Sequence, residues 1–219
     1  MVKWCNARSE KEGLTPCYTL GGAVYQTTDN SEVACNWNAN GYRLPKEAEW
    51  EKAARGGLIR KRFPLGDTIS YTQANYYGAA SYSYDLSPTQ GTNPAYNDGV
   101  TPYTSPVGSF AANGYGLYDM AGNVFEWCWD WYGTYGSGTV TDPTGPSSGI
   151  YRVMRGGHWG ILASYCRVGC RGQYNRPSTS SNYIGFRGRS VVANQMLAVG
   201  HGSPDRGSDV SVHDKARLA

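Results

Sequence analysis

No apolar run in this chain approaches the ~20 residues that span a bilayer, so no transmembrane helix is expected. No signal peptide opens it either. Runs of Lys or Arg are missing. The nearest, "RKRF" at 60–63, is too short for a nucleic-acid groove and reads as a solvated loop. There is no CxxC, and His158, His201 and His213 do not cluster with the six cysteines, which argues against zinc. Helical periodicity is nearly absent from about 58 to 187, and no Phe, Tyr or Trp follows Phe186. These absences set aside membrane-spanning and nucleic-acid roles. They leave the compartment open, with export or surface display among the options.

What is present is turn-forming and aromatic. The 219 residues include 29 Gly, 18 Tyr and 7 Trp, with a net charge of +3. Disordered chains are aromatic-poor. This composition predicts one domain of ordinary size, rich in loops, with aromatics supplying buried area. Residues 2–12 suit a short helix. "TPCYTLGGAVYQTTD" reads as a hairpin turning at Gly21-Gly22. "RLPKEAEWEKAARGG" predicts a second helix: Pro45 at its start, Glu47 and Glu49 in the first turn, Gly56-Gly57 at its end. Ala48, Trp50, Ala53 and Ala54 are its expected apolar positions. "YRVMRGG" at 151–157 and "IGFRGRS" at 184–190 read as strands. So much irregular chain needs bracing, and bound metal ions with buried Trp and Tyr would supply it. The stretch from about 192 to 219 reads as a mobile tail.

Four motifs occur in order: "NGYRLPKEAEWEKAARGG" (40–57), "PVGSFAANGYGLYDMAGNVFEWCWDWYG" (106–133), "DPTGPSSGIYRVMRGGHW" (142–159) and "NYIGFR" (182–187). Together they resemble the formylglycine-generating-enzyme, or sulfatase-modifying-factor, domain over roughly residues 1–190. Leu65 and Phe125 depart from the family, which often has Trp at both. The resemblance implies an α+β, C-type-lectin-like fold with little regular secondary structure, 191–219 being a flexible tail. The family's N-terminal strands would lie upstream of Met1, so the chain is read as N-terminally truncated; "MVKWCNARSEKEGL" reads as the middle of a helix. The family includes oxidases, ergothioneine-type synthases, accessory modules and ligand binders, so function has to be argued from the site.

The resemblance also implies two calcium ions. Hard cations take several oxygen ligands. One site would use Asp119 and Glu126 by side chain and Gly122 and Val124 by carbonyl. The other would use Asn75 and Asp98 by side chain and Tyr76 and Val100 by carbonyl. Without a cation, Asp119 and Glu126 would simply cap turns.

Oxidase members of the family bind copper with two cysteines separated by four residues, thiolates being suited to Cu(I). Here Cys166 and Cys170 are separated by three. Anchoring "RVGCR" (167–171) on the arginine pair that flanks the family's second cysteine puts the catalytic positions on Ala163 and Val168, which cannot ligate copper. Keeping Cys166 and Cys170 as the pair would shift an active site, where a 1 Å misplacement can cost ~100-fold. The ergothioneine-type branch needs a histidine-rich iron site that this chain does not carry.

A different pattern covers 155–187. A framework (Arg155, Gly156, Gly157, Trp159, Arg167, Arg171, Asn175, Pro177, Ile184 to Arg187) alternates with His158, Gly160, Ile161, Leu162, Tyr165, Cys170, Gly172, Tyr174 and Arg176. Many homologous domains carry Asn at the second set. All nine replacements are reachable from an Asn codon by changing only its adenines. This resembles the variable proteins of diversity-generating retroelements, whose C-terminal region is hypervariable. It implies a ligand-binding face made by those nine residues, facing a protein or cell-surface partner. An ordinary domain with a drifted loop, and a copper/oxygen-dependent oxidase acting on a cysteine of sulfatase-like substrates, are the competing readings.

Overall fold

The computed structural model describes residues 1–27, 32–172 and 175–190, and the backbone of 195–199 and 213–217. Helix α1 spans Val2–Lys11. The expected hairpin is β1, Tyr18–Leu20, and β2, Ala23–Val24, and β3, Ala34–Cys35, pairs on the other side of β1. Strand β4, Tyr42–Arg43, leads into α2, Glu47–Arg55.

Helix α2 forms where the sequence signals it. Lys46 donates its N–H to Glu49 Oε2 at 2.9 Å, closing the first turn. Gly56 ends it at φ +53°, where a Cβ would sit 2.8 Å from the Gly114 nitrogen. Asn113 caps the last turn by donating to the Ala53 carbonyl at 2.7 Å. Trp50, Ala53 and Ala54 are fully buried. Ala48 is not: it is exposed, and Glu47 takes the inward place because buried Arg155 and half-buried Arg171 reach it at 3.2 and 2.6 Å. Burial alone would raise the Glu49 carboxyl, but hydrogen bonds and charge from Arg43, with Arg189, hold it down to about 2. That anchor therefore persists until the pH falls towards 2.

A two-stranded ladder follows, β5 (Tyr77–Gly78) with β6 (Gly91–Thr92). The main sheet is built on β7, Phe125–Trp131. Its neighbours are β8, Arg152–Arg155, antiparallel, and β9, Ile184–Ser190, parallel. Beyond β9, β10 (Gln195–Val199) pairs antiparallel to it, and β11 (His213–Arg217) pairs with β10. Both lie inside the stretch read as a tail; the rest of 191–219 is outside the described residues. β4 joins β9 at Arg43↔Arg189.

Strand β7 separates the aromatic core layers. Trp127, Phe125, Tyr18 and Phe186 pack together on one side, and Trp50, Leu117, Met120 and Val153 in a second cluster. A third cluster, Phe63, Ile69, Tyr76, Ala163 and Cys166, lies under the 158–166 loop. The six cysteines are all free thiols. Among the described residues no helix is long and apolar enough to cross a membrane.

Candidate functional site

Strand β8 ends at Arg155, and the chain then runs over the surface before re-entering at β9. Among the framework residues, Arg155, Gly156, Gly157, Trp159 and Ile184 to Arg187 are buried, whereas Arg167 and Pro177 are exposed. Arg155 and Arg187 are fully buried, and Trp159 is 5 % exposed. The Trp159 N–H donates to the Asn123 carbonyl at 2.9 Å, and Tyr77 N–H to the Ile161 carbonyl at 2.9 Å, so β5 and the 122–124 loop carry the surface loop from below.

The intervening residues come outward, with one exception. Gly160, Tyr165 and Arg176 are exposed, and His158, Ile161, Leu162 and Cys170 are half-buried. Gly172 is instead buried and bonds in both directions to the Met154 backbone, N–H to carbonyl at 2.7 Å and 3.2 Å. A Cβ there would meet the Met154 oxygen at 3.0 Å, so this glycine belongs to the scaffold. Tyr174 lies outside the described residues.

Sequence reasoning missed the aromatic floor of this face. The His158 ring lies 4.3 Å from that of Tyr183, which stacks on Trp159 at 5.0 Å; Tyr103 meets Trp159 edge-on at 5.1 Å. Tyr183 and Tyr77 are partly open, at 38 % and 42 %. Tyr183 lies in the quoted "NYIGFR", but Tyr77, in β5, and Tyr103, in a loop, come from well upstream in the chain, with no local signal to link them. Burial pushes the His158 imidazole down to about 4, and its Nδ1 accepts the Gly160 N–H at 3.0 Å. It is therefore a neutral ring at physiological pH, with its proton on Nε2.

Ala163 is fully buried and Val168 is 2 % exposed. Cys166 is fully buried in the third cluster, and its sulfur lies where a Cβ on Gly157 would be 2.5 Å away. Burial pushes both the Cys166 and the Cys170 thiols up, so neither is poised as a thiolate.

The carboxylates expected to hold calcium differ in their surroundings. Glu126, 6 % exposed, accepts from Arg187 at 2.7 and 3.0 Å and from Trp50 Nε1 at 2.7 Å. Asp119, at φ +54°, accepts the Gly108 N–H through Oδ2 at 2.5 Å, while its buried Oδ1 has no hydrogen-bond partner. Burial pushes the Asp119 carboxyl up, and Glu126 adds to the rise. A buried carboxylate oxygen with no donor, beside a second carboxylate, fits a hard cation. At the other position Asn75 and Tyr76 are buried, with Asn75 Nδ2 donating to the Tyr103 carbonyl at 2.7 Å. Asp98 and Val100 sit on an exposed loop, where Asp98 Oδ1 accepts the Val100 N–H at 3.0 Å. Among the described residues no three His, Cys, Asp or Glu side chains converge as metal ligands.

Comparison with known proteins gives this geometry a family. The chain is 39% identical over 184 residues to the formylglycine-generating enzyme of Thermomonospora curvata, covering 76% of this chain and 57% of that enzyme. It is 38% identical over 184 residues to the serine/threonine-protein kinase pkn1 of Chlamydia caviae, covering 82% of this chain but 26% of the kinase. Among solved structures it is similar to Treponema denticola variable protein 1, with a TM-score of 0.65 and 33% identity, over 85% of this chain and 66% of that one. The chain thus spans less than two thirds of the length of each. The model of the sulfatase-modifying factor enzyme 1-like domain matches residues 2–192, and the chain belongs to that family.

Proposed function

We propose that this protein is a non-enzymatic, ligand-binding variable protein, which displays a changeable surface from 158 to 176 on a rigid lectin-like scaffold. The observation that carries this reading is the alternation of burial. Trp159, Ala163, Cys166 and Val168 are buried, whereas His158, Gly160, Leu162, Tyr165 and Cys170 between them reach the surface. Such a surface can change residue by residue without touching the core. The similarity to a solved variable protein supports the same reading. The fit with a retroelement-diversified family rests on the Asn-codon pattern.

Tolerance to substitution tests it. Asn, Ser or Asp at 160, 162, 165 and 170, and Tyr at 160, 162 and 170, should each move the melting temperature by less than about 3 °C, because surface changes stay within about 0.5 kcal/mol. Asn at 163, 166 or 168 should lower it by about 5 °C or more, since each buries an unpaired amide at a cost of ~2 kcal/mol or above. Equal sensitivity of both sets would defeat the proposal. So would a complete genome with neither a reverse transcriptase nor an Asn-rich copy of 155–187 near the gene. The identities to formylglycine-generating enzymes keep an oxidase as the second reading. Stoichiometric uptake of Cu(I) by the reduced protein, lost in Cys166→Ser and Cys170→Ser, would favour it.

We further propose a structural calcium at Asp119 and Glu126. Millimolar calcium should raise the melting temperature by roughly 5–10 °C over chelator, the linkage expected at about 100 times Kd. Asp119→Ala should remove that difference. An equal melting temperature with calcium and with chelator would eliminate the site.

A further inference from the structure

On the far side of β8 a groove of about 800 Å³ runs along one face of β7. Its walls include Trp127, Trp129 and Trp131 of β7, together with Arg152, Ile150 and Arg176. Among the described residues no Asp or Glu lines it.

Charge distribution explains why. The stretch 143–190 contains seven Arg and no Asp, Glu or Lys. Four of the seven turn inward onto carboxylates: Arg155 to Glu47 and Glu51, Arg171 to Glu47, Arg187 to Glu126 and Arg189 to Glu49. Arg152, Arg167 and Arg176 have no carboxylate partner among the described residues, and two of these three line the groove. The Arg152 guanidinium lies 3.6 Å over the Trp131 ring and 4.4 Å from the centre of Trp129, and donates one N–H to the Trp129 carbonyl. A guanidinium has five donors. Deeper in the wall, Trp127 is 2 % exposed, and its indole N–H is buried with no acceptor.

We propose that this groove binds an acidic peptide segment of a partner protein. A peptide carboxylate accepts from Arg152, and Ile150 covers the apolar side chain beside it. An acidic sugar suits the groove less well. A pyranose stacks on an open indole face, and here Arg152 covers Trp131 while Arg152 and Tyr18 flank Trp129, Tyr18 at 5.0 Å. Ile150, 62 % exposed, offers an aliphatic contact suited to a leucine or valine side chain. The groove shares Arg176 with the proposed variable surface, but none of residues 158–165 lines it, and its role does not depend on the function proposed for that surface.

The test is fluorescence anisotropy with a labelled, end-capped hexapeptide of alternating glutamate and leucine, at low salt. The glutamate peptide should bind at least tenfold more tightly than its glutamine counterpart. Arg152→Gln should lose at least tenfold, with Arg152→Lys recovering part of it. Tyr165→Ala should bind as the parent does. Equal binding of the two peptides, or full affinity in Arg152→Gln, overturns the proposal, as does loss of binding in Tyr165→Ala. A hexagalacturonate that binds where the peptide does not overturns it in favour of a sugar. Thermal melts of each variant separate lost binding from lost folding, and Arg152→Lys carries the test if Arg152→Gln does not fold.

Discussion

Glu126→Gln should lower the melting temperature by roughly 8–15 °C, the consequence of losing about 3–5 kcal/mol when one member of a buried ion pair is removed. Glu126 is the second residue of β7, between Arg155 of β8 and Gly185 of β9 in the ladder. Its two carboxylate oxygens hold Arg187, which is fully buried, and the Trp50 indole N–H. Glutamine keeps the shape and one acceptor but removes the charge that pairs with the buried Arg187 guanidinium. The double variant Glu126→Leu, Arg187→Leu should recover most of the loss, because well-packed apolar residues commonly replace a buried pair at little cost. Calorimetric scans of the three proteins decide this. A drop below about 2 °C for Glu126→Gln would mean that the pair contributes little. Running the scans with chelator and with calcium separates two roles. A loss that persists in chelator belongs to the Arg187 pair, and a loss seen only with calcium belongs to metal ligation.

The parts of this molecule that the sequence announced are those held by local rules. Helix α2 has its charged first turn and its terminal glycine within the segment itself, and the β1–β2 turn is written in Gly21-Gly22. The edges of β9 match "IGFRGRS". Strand β7 was less legible. In "FEWCWDW" the large aromatics alternate with Glu126, Cys128 and Asp130, which a half-exposed strand would turn to solvent. All three are buried here, because Arg187 and the α2 backbone receive the two carboxylates: Asp130 Oδ2 accepts the Glu47 N–H at 2.8 Å. Burial of Glu47 in place of Ala48 has the same origin, since its partners lie more than 100 residues away. The outward set from His158 to Arg176 could be listed from the Asn-codon pattern. That Gly172 belongs to the backbone ladder, and that Tyr77 and Tyr103 complete the face, depended on long-range packing.

Gly122→Ala should have the other large effect, about 3–5 kcal/mol, combining left-handed strain with a clash that no side-chain rotation relieves. Gly122 stands at φ +73°, and a Cβ there would lie 2.2 Å from the Asn75 carbonyl oxygen and 2.9 Å from its carbon. The obstacle is backbone, so one of two segments has to move. Neither is free to do so. The Gly122 N–H donates to the Gly156 carbonyl at 2.7 Å, and the next N–H, on Asn123, to the Asn75 carbonyl at 2.6 Å. Asn123 in turn accepts the Trp159 N–H through its carbonyl at 2.9 Å and the Ser105 N–H through Oδ1 at 2.9 Å. The added methyl therefore separates the β5 segment from the 156–159 turn, and with it the support beneath His158 and Gly160. Loss of stability should be accompanied by faster amide hydrogen exchange at Trp159 and Tyr77, while Gly56, whose N–H donates to the Ala53 carbonyl at the end of α2, stays protected. If exchange instead rises evenly across the protein, the 122–124 loop is one more part of the core. If it rises first at 77 and 159, the loop is the mounting that lets the surface above it vary while the scaffold below does not.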